Sequence, residues 1–109
     1  MKILVVDDEF PVRDILQKGL SQMGGFSVEA AQNGREAIQK IENDLFDLVL
    51  TDVKMPEMDG LELLKAIKET WPEMMVILMT GYGSIETAVE AMKMGPMITL
   101  PSRLTSTNS

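Results

Sequence analysis

Three apolar runs in this chain end in acids or hydroxyls: ILVV runs into Asp7, Asp8 and Glu9, DLVLT into Asp52 by way of Thr51, and MVILMT ends at Thr80. Carboxylates crowded together repel one another, so Asp7 and Asp8 beside Asp52 make chemical sense when a divalent cation neutralises them. The chain contains no histidine and no cysteine, which leaves only oxygen ligands, the donor set of Mg2+ or Mn2+. One acid can then act as a nucleophile toward a phosphoryl group, giving an acyl phosphate through positioning and charge neutralisation. The same absence removes disulfides, thiolate or imidazole metal sites and every catalytic triad that needs His or Cys. Taken singly, each piece has a plainer role: an acid pair after a strand caps a turn or helix, and Thr80 is an ordinary strand-end hydroxyl. Three strand ends on one sheet edge make a site of them.

The elements that must carry these residues follow from periodicity. ILVV at 3–6, FSVEAA at 26–31, DLVLT at 47–51 and MVILMT at 75–80 read as buried parallel strands, which need not alternate because both faces are covered. Val12, Ile15, Leu16, Leu20 and Met23 fall on one helical stripe, as do Ala37, Ile38 and Ile41. Leu61, Leu64 and Ile67 mark a third helix that Pro72 stops, and a fourth runs from an Ser84 cap to a Gly95 stop. Strands alternating with helices imply βαβ units, a parallel sheet covered on both faces, and a ligand site outside the carboxyl ends of its strands.

A chain of 109 residues is one domain by size. The 45% hydrophobic and 25% charged fractions are those of a soluble globule, and no apolar run approaches the ~20 residues that cross a bilayer. The start, MKILVVDD, has no leader-like character, so a cytoplasmic protein is expected. A net charge of −7 argues against direct nucleic-acid binding, which relies on clustered Lys and Arg. The ten methionines read as core filler.

VVDDE, TDVKMPEMDGLELL and ILMTGYGSIETAVEAMKMG resemble, in that order and over residues 1–95, the receiver domain of two-component response regulators. The third stretch is most similar to receivers attached to enhancer-binding transcriptional activators of the nitrogen-regulation type. The resemblance implies a flavodoxin-like, doubly wound parallel sheet of five strands in the order 2-1-3-4-5. It implies that Asp52 is the phosphoacceptor, that Asp8 binds Mg2+ directly, and that Asp7 binds it directly or through water. The main-chain carbonyl of Lys54 would complete the protein's ligands, and Mn2+ is a substitute metal. Thr80 would be the switch hydroxyl, with Lys54 and Tyr82 adjusting how fast water removes the phosphoryl group. Pro56 and Gly60 would shape the loop after Asp52, Gly60 through a positive φ. The implied partner is a sensor histidine kinase, and the output domain controlling transcription lies outside residues 1–109. Such a domain is a switch that catalyses only its own phosphorylation and dephosphorylation. Two other readings stay open: a degenerate receiver acting only as an interaction module, and a Mg2+-dependent aspartyl phosphohydrolase. The latter needs a general acid two residues after its nucleophile, where Lys54 stands.

After Gly95 the string PMITLPSRLTSTNS departs from the family's pattern. Thr99 stands where the resemblance puts an aromatic residue and Ser102 where it puts a lysine. Codons can be chosen for residues 95–109 so that one inserted base restores Ala-Tyr-Asp-Tyr-Leu-Thr-Lys-Pro-Phe, so the tail reads as a shifted-frame translation of a receiver's end, the alternative being a natural or engineered divergent tail. MITL at 97–100 can still form a fifth strand, but no fifth helix is expected. Residues 1–100 are then the receiver and 101–109 a disordered or aberrant tail. An uncovered sheet face would favour a homodimer or swapped oligomer.

Overall fold

The computed structural model describes residues 1–79 and the backbone of residues 97–100. The expected helix over 84–94 with its Ser84 cap and Gly95 stop, the expectation of no fifth helix, and the tail 101–109 lie outside the described residues. The elements run β1 (Lys2–Val6), α1 (Phe10–Gln22), β2 (Ser27–Ala31), α2 (Gly34–Asn43), β3 (Leu48–Asp52), α3 (Gly60–Thr70), β4 (Met75–Met79) and β5 (Met97–Leu100). All strands pair in parallel, in the order β2-β1-β3-β4-β5. This is the expected flavodoxin-like order, and MITL supplies its fifth strand.

Alternation along each strand divides the core in two, because successive side chains leave opposite faces of a sheet. Ile3, Val5, Leu48, Leu50, Ile77 and Met79 pack on Leu16 and Leu20 of α1. Leu4, Val6, Val49, Val76 and Leu78 pack instead on Ala37 and Ile41 of α2 and Leu63 and Ile67 of α3. The continuous apolar runs of β1, β3 and β4 thus reflect helices on both faces.

Three details differ from the sequence reading. FSVEAA is not a fully buried strand: β2 lies at the sheet edge, and only Ala31 in it is fully covered. Ile15 on α1 and Met23 just after it are exposed, because the face that meets the sheet centres on Leu16 and Leu20. On α3, Leu61 faces outward and Leu63 takes its place in the core, four residues before Ile67 and so on the same face.

Local signals set the helix starts near the site. Asn33 caps α2, its Oδ1 accepting from Glu36 N at 2.8 Å. Asp59 and Glu62 form a reciprocal capping box on α3: Asp59 Oδ1 accepts from Glu62 N at 2.8 Å, and Glu62 Oε1 from Asp59 N at 3.0 Å. The α1 cap, Glu9, makes no side-chain capping bond.

Candidate functional site

Parallel strands all deliver their carboxyl ends to one edge. Val6 lies opposite Thr51, and Asp52 opposite Met79, so the residues that follow β1 emerge beside the end of β3. There one carboxylate oxygen from each of Asp7, Asp8 and Asp52 lies within 4.8 Å of the others. Asp7 is 2% exposed, Asp52 half-buried and Asp8 exposed. Among the described residues no other cluster of acids comes together in this way.

Asp7 is the most constrained of the three. Its N–H donates to Ala31 O at 3.2 Å, continuing the ladder one residue past the strand. Its Oδ1 accepts from Glu9 N at 2.8 Å, and its carbonyl accepts from Arg13 Nη1 at 2.7 Å. Burial pushes the Asp7 carboxyl up to about 6, with the negative charges of Asp52, Asp8 and Glu9 adding to the rise and the Glu9 N–H opposing it. Asp52 is likewise raised, first by burial and then by Asp8 and Glu9, against the main-chain N–H groups of Lys54 and Val53. Like charges held at this distance, with burial already disfavouring ionisation, make a site that a hard divalent cation stabilises. The all-oxygen donor set suits Mg2+ or Mn2+.

The loop after β3 is shaped by close main-chain contacts. Gly60 N donates to Val53 O at 2.7 Å, and a Cβ on Gly60 would stand 2.3 Å from the carbonyl oxygen of Asp52. Gly60 therefore serves close approach. The expectation that it needs a positive φ is overturned, for the positive φ in this loop, 69°, belongs to Glu57. A non-glycine residue in the left-handed region costs about 1–2 kcal/mol, and glycine's greater freedom in the unfolded chain offsets about half of that. Glu57→Gly should accordingly raise stability by about 0.5 kcal/mol, read as a small upward shift of the thermal midpoint; a fall would show that the Glu57 side chain contributes more than its backbone costs.

Lys54 is exposed, with its N–H directed at Asp52 Oδ1 at 3.4 Å. Thr51 is fully buried and its hydroxyl donates to the Asp52 carbonyl at 3.0 Å, so it faces the main chain and not the acids. Thr80 and Tyr82 lie outside the described residues. The residue that the sequence reading missed is Arg13; its only signal was a basic side chain in the first turn of the helix that follows the acid pair.

The chain is similar in sequence and fold to known proteins. The transcriptional regulatory protein ZraR of Klebsiella oxytoca is 48% identical over 95 residues, which are 87% of this chain and 21% of that protein. The chain thus spans about a fifth of the length of the curated relatives of this type. Among solved structures, the receiver domain of NtrX from Brucella abortus is 36% identical with a TM-score of 0.74, covering 93% of this chain and 85% of that one. Response regulator protein TrrA from Thermotoga maritima, in complex with Mg(2+)-BeF, is 31% identical with a TM-score of 0.75, covering 96% and 90%. The model of the response regulator receiver domain matches residues 3–103, nearly the whole chain and all of the acidic edge, and the chain belongs to that family.

Proposed function

We propose that this receiver takes a phosphoryl group from the phosphohistidine of a sensor histidine kinase onto Asp52, with Mg2+ held by Asp7, Asp8, Asp52 and the main-chain carbonyl of Lys54. The observation that carries the reading is the meeting of three aspartate oxygens within 4.8 Å at the strand ends, one of them on a half-buried residue that can be the nucleophile. The relative solved with Mg(2+)-BeF supports the choice of metal. Mg2+, when bound, offsets the charge of the incoming phosphoryl oxygens.

The chain's own residues do the rest. A carboxylate oxygen of Asp52 forms the new O–P bond as the P–N bond to the kinase histidine breaks, and the leaving imidazole keeps its electron pair and takes up a proton. Lys54 N–H, already directed at Asp52 Oδ1, holds the carboxylate's orientation. Thr80 is the hydroxyl that turns toward the modified Asp52, and Lys54 and Tyr82 govern the access of water to it. The added charge and acceptor oxygens rearrange neighbouring donors, which is the signal. The proposed role in the cell is control of a transcriptional output domain carried outside these residues, with residues 1–100 as the receiver and 101–109 as a tail. Among the described residues no helix is long and apolar enough to cross a membrane, in keeping with a cytoplasmic switch.

Intact mass after incubation with acetyl phosphate and Mg2+ tests this. One phosphoryl group should be gained, and it should be lost both in Asp52→Asn and when the metal is omitted. A folded, Mg2+-binding protein that gains nothing would instead be an interaction module, the reading that Ser102 at the expected lysine position favours.

A further inference from the structure

We infer that Arg13 is a positioning residue for the metal site, setting the Asp7–Asp8 corner by binding the Asp7 main chain from behind. The inference rests on the proposed Mg2+ site.

β1 ends at Val6, and Asp7 and Asp8 belong to the short turn between that strand and α1. A turn of this kind is free to rotate its carbonyls unless something holds them. Two of the constraints on Asp7 are local or belong to the ladder: its N–H meets Ala31 O at 3.2 Å and its Oδ1 meets Glu9 N at 2.8 Å. Its carbonyl has passed the end of the sheet, where no strand partner remains, and it is Arg13 Nη1 that reaches back at 2.7 Å to satisfy it. The N–H, the carbonyl and Oδ1 of Asp7 are thus all bonded. Among the described residues no hydrogen bond is donated to Asp7 Oδ2, which leaves that oxygen for a cation.

Arg13 is itself held. Its backbone N–H donates to Glu9 O at 3.1 Å in the first turn of α1, and its guanidinium lies over the Phe10 ring, 5.7 Å from the centroid. Half-buried, it sits in its own helix and over the ring of Phe10, the first residue of that helix. The bond that Arg13 makes is to the Asp7 main-chain carbonyl and not to its carboxylate. Arg13 therefore acts on the site through the backbone. Because α1 lacks a side-chain cap, this bond also fixes the helix start against the acid pair. Partners that orient a metal ligand from behind typically change affinity by about 10-fold to 100-fold when removed.

The test is calorimetric titration of the full chain with Mg2+, beside urea unfolding of the metal-free protein. Arg13→Met keeps the aliphatic stem on Phe10 and removes the donor; Arg13→Lys keeps a cation able to reach the carbonyl. The expected result is a Kd for Mg2+ about 10-fold weaker in Arg13→Met, with most of the affinity recovered in Arg13→Lys. A Kd unchanged in Arg13→Met, or equally weakened in both variants in step with their loss of stability, would overturn the inference and leave the proposed function intact. Failure of the unaltered chain to bind Mg2+ would overturn both.

Discussion

Gly60→Ala should lower the stability of this domain by about 2 kcal/mol and slow phosphorylation of Asp52 by roughly 100-fold. Two effects compete. Gly60 is the first residue of α3, and in a helix alanine is preferred over glycine by about 1 kcal/mol. Against that, the added Cβ would lie 2.3 Å from Asp52 O, 2.8 Å from Val53 Cα and 3.0 Å from Asp52 C. All three are main-chain atoms, which cannot swing aside as a side-chain end can. Forcing in an atom costs about 1–3 kcal/mol in a packed interior, and the rigid neighbours put this case at the upper end, so the clash wins.

The displaced strand end carries Asp52, the proposed acceptor, and a misplacement of about 1 Å at a reacting group is worth about 100-fold in rate. Gly34→Ala is the control. The same added atom there would meet the Met58 side chain, with Sδ at 2.6 Å, and a flexible thioether can move, so a loss under about 1 kcal/mol is expected. Urea unfolding and the rate of acetyl phosphate labelling measure both variants. Equal losses for the two glycines would show that the rigidity of the Asp52 main chain is not the deciding factor.

Asp7→Asn should have opposite effects with and without metal. Asp7 is raised to about 6 in the folded protein from an ordinary value of 3.8. A carboxyl whose folded value is raised binds its proton more tightly folded than unfolded, so stability falls as pH rises from about 4 to about 6 and stays lower above that. The full effect corresponds to about 3 kcal/mol. Asparagine keeps an oxygen to accept from Glu9 N and carries no charge. The variant should therefore be about 2 kcal/mol more stable than the unaltered chain at pH 7.5 without metal, and its stability should fall less between pH 4 and pH 6.

Saturating Mg2+ should reverse the order. A ligand at 100 times its Kd adds about 2.7 kcal/mol to the chain that binds it, and the variant has lost the buried one of the three carboxylates of the proposed metal site. Urea midpoints at pH 4.5 and 7.5, with and without Mg2+, give the four comparisons. A variant less stable than the original at pH 7.5 without metal would mean that the Asp7 carboxylate is already compensated within the protein.

Much of this was legible in the chain itself. Apolar runs, their length and the helical periods between them determined four strands and three of the helices to within a few residues, because these signals are local. That Asp7, Asp8 and Asp52 come together was legible for a related reason: a parallel sheet sends every strand's carboxyl end to one edge, so strand ends alone place them near one another. MITL was legible as a strand because nothing within it opposed one.

Quantities that depend on segments distant in sequence were not legible. Whether β2 is central or at the edge depends on strand order, and no pattern within FSVEAA records it. Leu61 and Leu63 are the same residue type on the same helix, and only the angle at which α3 meets the sheet sends one to solvent and the other to the core. Gly60 looked like a glycine chosen for its φ, while the left-handed residue is Glu57 and Gly60 is small because Asp52 passes 2.3 Å from where a Cβ would be. Arg13 carried no mark of its bond to the Asp7 carbonyl. Residue type and spacing determined which groups meet; tertiary structure decided how close they come, how dry they are and what holds them, since distances and burial are set by packing between segments.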